Sequence, residues 1–265
     1  MRILTWNLWW RFGPWERRHD AVLAWLRRER PDVCGLQEVW AAGDANLAAR
    51  LADELGMHWA FTPGEVMPHW RERGPTPALR TGVGVAVLSR WPIAATAVAR
   101  LPTGEGPERL RPALFALLDA GPYRVPFFTT HLHSSGDGSA VRQAQAAALA
   151  RFVAHRRGDG AFPPVVTGDL NAEPDTPEVR LLGTAAGLVD AWTHAAPGDP
   201  GATRLARNPY RPGPGVRDGR IDYIHTGTPQ AGGPGRVTAV RRTGDGPVGG
   251  VWPSDHAAVV ADLTD

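Results

Sequence analysis

Residues 165–178 read VVTGDLNAEPDTPE. Two β-branched residues run into Thr-Gly-Asp-Leu-Asn and then into a proline-rich turn. In extended backbone alternate side chains share a face, so Asp169 and Asn171 project together while Leu170 turns away. Gly168 lets another backbone, or a ligand, come close. Asp, Asn, Gly and Pro also make ordinary strand-end turns. The stretch therefore takes its meaning from what the other strands carry at their ends.

Working outward, the pattern is mixed α and β. Residues 3–8 predict a first strand. Residues 16–30 place Ala21, Val22, Trp25 and Leu26 on one helical face, with Pro31 as the stop. Residues 32–39 predict a buried strand, and Asp44 an N-cap for a helix through Leu55 that Gly56 ends. Residues 62–80, with four prolines and no periodicity, predict a loop. Strands are expected at 83–88, 93–99, 110–118 and 124–130. Ser139 is expected to cap an Ala-rich helix to about 155, and 164–167 form a strand. Thr176-Pro177 predicts an N-cap with Pro at the first helical position. Residues 197–219, rich in Gly, Pro and Arg, predict a long loop or flexible insertion, before strands at 220–225, 236–242 and 257–263. Runs of consecutive strands alternate with helix-connected ones. This suggests two sheets packed face to face with helices outside, in one domain over 1–265.

Composition narrows the class. The chain has 265 residues, 43% hydrophobic and 21% charged, the profile of a globular protein with a core. All 29 basic residues are Arg, and the formal net charge of +2 creates no strong global field toward nucleic acid. The single cysteine, Cys34, excludes an internal disulfide framework or a cysteine metal site. No signal-like segment opens the sequence and no apolar run reaches membrane-spanning length, so a cytoplasmic protein with no membrane span is expected. Nothing points to an obligate protein partner.

Other strand ends repeat the opening anomaly. TWN puts Asn7 at the end of the first strand and LQEV puts Glu38 at the end of the second. FTTHLH carries His131 and His133, GRIDYIH carries Asp222, and WPSDHAAVV sets Asp255 and His256 before the last strand. Each alone is as well explained by a turn or a structural histidine. If the ends converge, one cleft holds three or four carboxylates, carboxamides and imidazoles. Carboxylates that close repel and take up protons. A hard divalent cation removes that penalty, and oxygen ligands suit Mg²⁺. The set matches the needs of metal-assisted displacement at phosphorus.

TWN, LQEV, TTHL (129–132), GDLN (168–171), RIDYI (220–224) and SDH (254–256), in that order, resemble the endonuclease/exonuclease/phosphatase superfamily, the DNase I-like group. The resemblance runs from Thr5 to His256. It implies a four-layer α/β/β/α sandwich, two packed mixed β-sheets flanked by helices. It also implies a Mg²⁺-dependent phosphodiester hydrolase, with Mn²⁺ a substitute. On it, Glu38 is the principal metal ligand, with Asn7 and Asp255 beside it. Asp169 orients or deprotonates water, and Asn171 holds the phosphate or that water. His256 faces the phosphate with Asp222 behind it, and His131 donates to a non-bridging oxygen. Arg111 resembles the substrate-side arginine, with Arg109 a competitor. Whether Asp169 or His256 is the base stays open.

QEVW sets Trp40 where abasic-site endonucleases carry Lys, and GRIDYIH lacks the Trp-Cys of inositol-phosphate 5-phosphatases. TTHL and GDLNAEPDT resemble sphingomyelinase, DNase I-like and bacterial members, although the expected lack of a leader disfavours a secreted sphingomyelinase. The substrate is a phosphoester: nucleic acid, a small organic phosphate or a lipid headgroup. The alternative is a binding or scaffold protein that kept the fold and lost turnover. Trp9, Trp10, Phe12 and Trp15 read either as core or as an apolar rim to the cleft.

Overall fold

A computed structural model of the protein describes residues 1–66, 70, 81–103, 111–195 and 198–265. Strand β1 (Arg2–Asn7) shows how the chain sorts into layers. Ile3 packs into one apolar cluster and Leu4 into another, because successive side chains leave opposite faces of a strand. β2 (Val33–Ala42) repeats this with Val33 inward and Cys34 outward.

β1 lies between β2, in parallel, and the C-terminal β13 (Ala258–Leu263), antiparallel. The sheet continues on one side to β12 (Val237–Thr243) and on the other through β5 (Gly82–Ser89) to β4 (His58–Gly64). The short β3 (Ala45–Asn46) pairs with β2. The second sheet runs β10-β11-β9-β8-β7-β6, using β6 (Ile93–Leu101), β7 (Arg111–Ala120), β8 (Tyr123–His131), β9 (Val165–Asp169), β10 (Leu188–Asp190) and β11 (Asp222–Gly227). Both sheets mix parallel and antiparallel pairs.

Helices α1 (Trp15–Glu29) and α2 (Leu47–Leu55) cover the first sheet, Leu26 and Leu51 packing with Leu4, Trp6 and Leu36. Helices α3 (Ser139–Arg156) and α4 (Pro177–Ala186) cover the second, Leu149, Val153 and Leu182 packing with Phe128 and Val166. Between the sheets lie Ile3, Val33, Val85, Leu114, Phe127, Val165 and Ile224. The architecture is the four-layer sandwich. Each such side chain stabilises the fold by about 1.5–3 kcal/mol relative to exposure. A Cβ on Gly35 would lie 2.0 Å from Thr167 Oγ1, so glycine there permits the close approach of the sheets.

Several boundaries differ from expectation. The cap of α2 is Asn46, whose side chain accepts from the Ala48 and Ala49 N–H groups, not Asp44. Asp44 falls in the tight turn that joins β2 to β3. Ser139 is the first residue of α3 rather than its cap, and its hydroxyl donates to Glu178 at 3.0 Å. Residues 62–64 belong to β4, an edge strand where Pro63 is tolerated. Of the expected 62–80 loop, residues 67–69 and 71–80 lie outside the described residues, as does Arg109. Residues 198–219 form a long loop anchored by a bridge between Arg204 and Gly219 and by Ala257 N–H donating to Thr203 O. Among the described residues, no helix is long and apolar enough to cross a membrane.

Candidate active site

The inward face of each central strand changes character toward one end. β1 places Ile3, Thr5 and Asn7 inward, β8 Phe127, Thr129 and His131, and β9 Val165, Thr167 and Asp169. Antiparallel β11 starts at that end, with Asp222 before inward Ile224. Register aligns the tips: Asp169 sits opposite both Asp222 and His131, and Asn7 opposite Gln37. A Cβ on Gly168 would meet Thr130 O at 2.4 Å, so glycine lets β8 and β9 pair closely just before Asp169.

Glu38 enters by a bulge. The β2–β5 register shifts between Leu36 and Val39, and Glu38 takes φ +53°. Asn171 follows β9 at φ +49°. Such conformations cost non-glycine residues about 1–3 kcal/mol each and persist where the surroundings over-determine them. Here they do: Trp10 N–H donates to Glu38 O, and Asn171 N–H to Asp169 Oδ1 at 2.9 Å.

The sheets meet at Asn7. Its amide nitrogen donates to Glu38 Oε1 at 3.1 Å and to Asp169 Oδ2 at 2.9 Å, while its oxygen accepts from Trp9 N–H. Asn7 thus turns its nitrogen, not its oxygen, to the carboxylates. His131 Nε2 lies 3.4 Å from Asp169 Oδ2 and 2.9 Å from Asn171 Nδ2, whose amide also donates to Leu132 O. His256 Nδ1 bonds Asp222 Oδ2 at 2.9 Å, and Thr203 Oγ1 donates to the same oxygen. Ser254 Oγ donates to Asn7 O at 2.7 Å and accepts from His256 N–H, tying the last loop to β1.

Arg18 fastens the same loops from behind. Buried on α1, its guanidinium donates to the carbonyls of Leu8, Trp9, Trp10, Phe12 and Pro253. The segment after β1 and the loop bearing Asp255 are held by one side chain.

Burial and like charge dominate the electrostatics. Burial, then Asp255, push the Glu38 carboxyl up to about 8. Burial and Asp222 raise Asp169 to about 6. Burial alone would lower His256, but Asp222, Asp255 and Asp169 outweigh it and hold the ring charged, at about 10. Burial, then the charges of Arg111 and His256, keep His131 neutral. Glu38 Oε2, Asp222 Oδ1 and Asp255 Oδ1 are buried with no hydrogen-bond partner among the described residues. Oxygen donors left this way in an acidic cluster fit a hard divalent cation. Asp169, Asp222 and His256 also offer three ligand atoms within 4.8 Å of one another, a spacing that could hold a divalent metal.

These groups open on a cleft of about 450 Å³ lined by Glu38, His131, Asp169, Asn171, Asp255 and His256. Trp9, Phe12, Trp70 and Tyr210 make it partly aromatic, Trp9 stacking on Tyr210 at 4.5 Å. The aromatic cluster therefore divides: Trp10 is core, whereas Trp9 and Phe12 also face the cleft. Arg111, at the start of β7, sits beside His131 in an adjoining small cavity and reaches Ser134 Oγ at 3.5 Å. His133 points elsewhere; its ring lies near Gly138. Sequence reasoning missed the cleft wall built by Arg204, Tyr210, Arg211, Pro212 and Val216, because a Gly/Pro/Arg loop carries no periodicity to place it. A hollow of about 520 Å³ between Arg157 and Gln230 gathers no such set.

Fold and site together define a phosphoesterase scaffold whose clustered acids and imidazole suit metal-assisted phosphodiester hydrolysis. The chain belongs to the Endonuclease/Exonuclease/phosphatase family, whose signature matches residues 4–256. It is 32% identical over 213 residues to a "Putative neutral sphingomyelinase" of Caenorhabditis elegans, covering 72% of this chain and 46% of that protein. It is 28% identical over 176 residues to an inositol phosphosphingolipids phospholipase C of Saccharomyces cerevisiae, covering 61% and 34%. The chain thus spans less than half the length of these two relatives. Among solved structures, an endonuclease/exonuclease/phosphatase from Beutenbergia cavernae superposes with a TM-score of 0.74 at 27% identity, covering 100% of this chain and 71% of the other.

Proposed function

We propose that residues 1–265 act as one catalytic domain, a Mg²⁺-dependent phosphodiesterase that hydrolyses a diester of the phospholipid-headgroup type, with Mn²⁺ able to substitute. The observation that carries this is the pair of buried carboxylate oxygens, Glu38 Oε2 and Asp255 Oδ1, that lack hydrogen-bond partners among the described residues in one cleft beside His256. Glu38 and Asp255 are the better seat for the ion, since Asp222 and His256 already bond each other. Asn7 supports them by donating to Glu38. When bound, the ion supplies Lewis-acid charge to the phosphoryl oxygens.

The chain's own groups divide the remaining work. Asp169, ionised at neutral pH and fixed by Asn7 and by the Asn171 N–H, orients a water and takes its proton. His256 is already protonated, so it serves as donor to the phosphoryl group or leaving oxygen rather than as base. Asp222 keeps its Nε2 turned to the cleft. Asn171 and neutral His131 bond each other in the free protein, and substrate is expected to exchange that bond for donors to the negative charge that grows in the transition state. Arg111 sits beside His131 and adds positive potential there. The aromatic wall offers apolar surface to an acyl or sphingoid portion, which agrees with the names of the sphingolipid-cleaving relatives.

Release of p-nitrophenol from bis-p-nitrophenyl phosphate is expected with Mg²⁺ or Mn²⁺, lost on chelation and in Glu38→Ala and His256→Ala. Sphingomyelin, phosphatidylinositol, plasmid DNA and RNA should then be compared. Turnover confined to DNA or RNA, with steep salt dependence, would overturn the headgroup assignment. No release with any divalent ion would leave the scaffold reading standing.

A further inference from the structure

The loop between β10 and β11 brings two guanidinium groups, Arg204 and Arg211, to the wall of the cleft. Their neighbours on the same segment are neutralised: Arg207 by Asp245 at 2.9 Å, Arg217 by Glu173 at 3.2 Å and Arg220 by Asp190 at 2.5 Å. Arg204 and Arg211 form no ion pair among the described residues. Among the described residues the Nε of each is buried without a hydrogen-bond partner, and Arg211 Nη1 reaches Arg217 O at 3.4 Å. Burial, then the charge of Arg204, weaken Arg211's hold on its proton, and Asp255 and Asp218 offset this only in part, so two like charges share a half-buried wall.

Two guanidinium groups so placed repel, and of the two carboxylates that act on Arg211, Asp255 is also the seat given to the cation, which leaves the wall short of negative charge. Its backbone is nonetheless fixed. Arg204 pairs with Gly219, and Thr203 joins both Asp222 and Ala257, so the wall is tied to the phosphate site. A scissile diester carries one negative charge, already met by charged His256 and by the cation seat. Two further guanidinium groups suit a dianion, which arginine grips through paired N–H donors. They also repel the quaternary ammonium of a choline headgroup.

We propose that Arg204 and Arg211 form a subsite for a second anionic group on the substrate, a phosphate monoester beside the scissile diester. The proposal rests on the phosphodiesterase reading above and narrows its substrate to phosphorylated headgroups.

The test uses matched substrates with Mg²⁺: glycerophosphoinositol against glycerophosphoinositol 4-phosphate, and thymidine 5′-(p-nitrophenyl phosphate) with and without a 3′-phosphate. The wild type is expected to favour the phosphorylated member by about 10–100-fold in kcat/KM, the worth of one or two bonds to a charged group. Arg204→Gln, Arg211→Gln and the double variant should lose that preference, mainly through KM. A preference in the inositol pair assigns the second anion to a headgroup, and one in the thymidine pair alone to a nucleotide. Wild-type protein that cleaves bis-p-nitrophenyl phosphate yet shows no preference in either pair overturns the subsite, as does equal loss on both members of a pair. Failure on every diester sinks the phosphodiesterase reading instead. Calorimetry with inorganic phosphate in EDTA then decides the subsite: about tenfold weaker binding in the double variant supports it, and unchanged binding overturns it.

Discussion

On β1, Ile3 packs between the sheets, while Asn7 on the same face bonds two carboxylates. β8 runs Phe127, Thr129, His131 and β9 runs Val165, Thr167, Asp169 in the same direction. The space between the sheets is thus dry and apolar at one end and acidic at the other, with a belt of Thr5, Gln37, Thr129 and Thr167 between. Gln37 spans that belt, donating to Thr5, Gly35 and Thr129. The apolar end supplies stability and holds the strands in register. The acidic end draws on it, since buried carboxylates without partners cost free energy unless a cation joins them. One packing scheme serves both because side-chain parity, once set by the core, continues to the tips.

Substitutions at the two ends should separate these roles. Phe127→Ala, in the apolar half, is expected to cost about 3–5 kcal/mol of unfolding free energy by denaturant titration, with activity per folded molecule changed far less. Glu38→Gln should do the reverse: kcat falls about 10²–10³-fold, near 3–4 kcal/mol of barrier, while the denaturation midpoint in chelator does not fall, because the amide keeps an acceptor for Asn7 and removes a buried acid. A midpoint collapse in that variant would erase the distinction. Gly35→Ala tests the belt. Its Cβ would strike Thr167 Oγ1, so a loss of about 1–3 kcal/mol is expected from overpacking.

A smaller effect reports the acidic end through pH. The carboxyls of Glu38 and Asp169 and the His256 ring all bind protons more tightly folded than their ordinary values of 4.5, 3.8 and 6.5. Buried His131 and His225 shift the other way and offset this where histidine titrates, so in chelator the folded state holds more protons than the unfolded one above about pH 6.5, and stability should fall as pH rises from about 6.5 to 8. Glu38→Gln should flatten that slope, and Mg²⁺ should flatten it in the wild type. Melting temperatures that rise over this range in EDTA would contradict the charge assignment.

Much of this was legible in order rather than in space. Alternation marked most strands, and Asn7, Glu38, Asp169, Asn171, Asp222, Asp255 and His256 stood out as polar groups ending apolar runs. β4 escaped because an edge strand tolerates Pro63 and needs no strict alternation. Arg18 escaped because it reads as one of several helix-face arginines, although it binds five carbonyls of the loops around the site. The Arg204 and Arg211 wall escaped because nothing local separates them from ion-paired Arg207, Arg217 and Arg220.

The amino-acid order by itself determined the two-sheet class and the ordered polar tips, since both follow from strand periodicity and residue type over short windows. Only the tertiary structure decided which way Asn7 turns its amide, which carboxylate oxygens lack partners and which arginines line the cleft. Those outcomes depend on burial and on neighbours brought together by long-range pairing, such as Asn7 with Asp169, which no local stretch encodes.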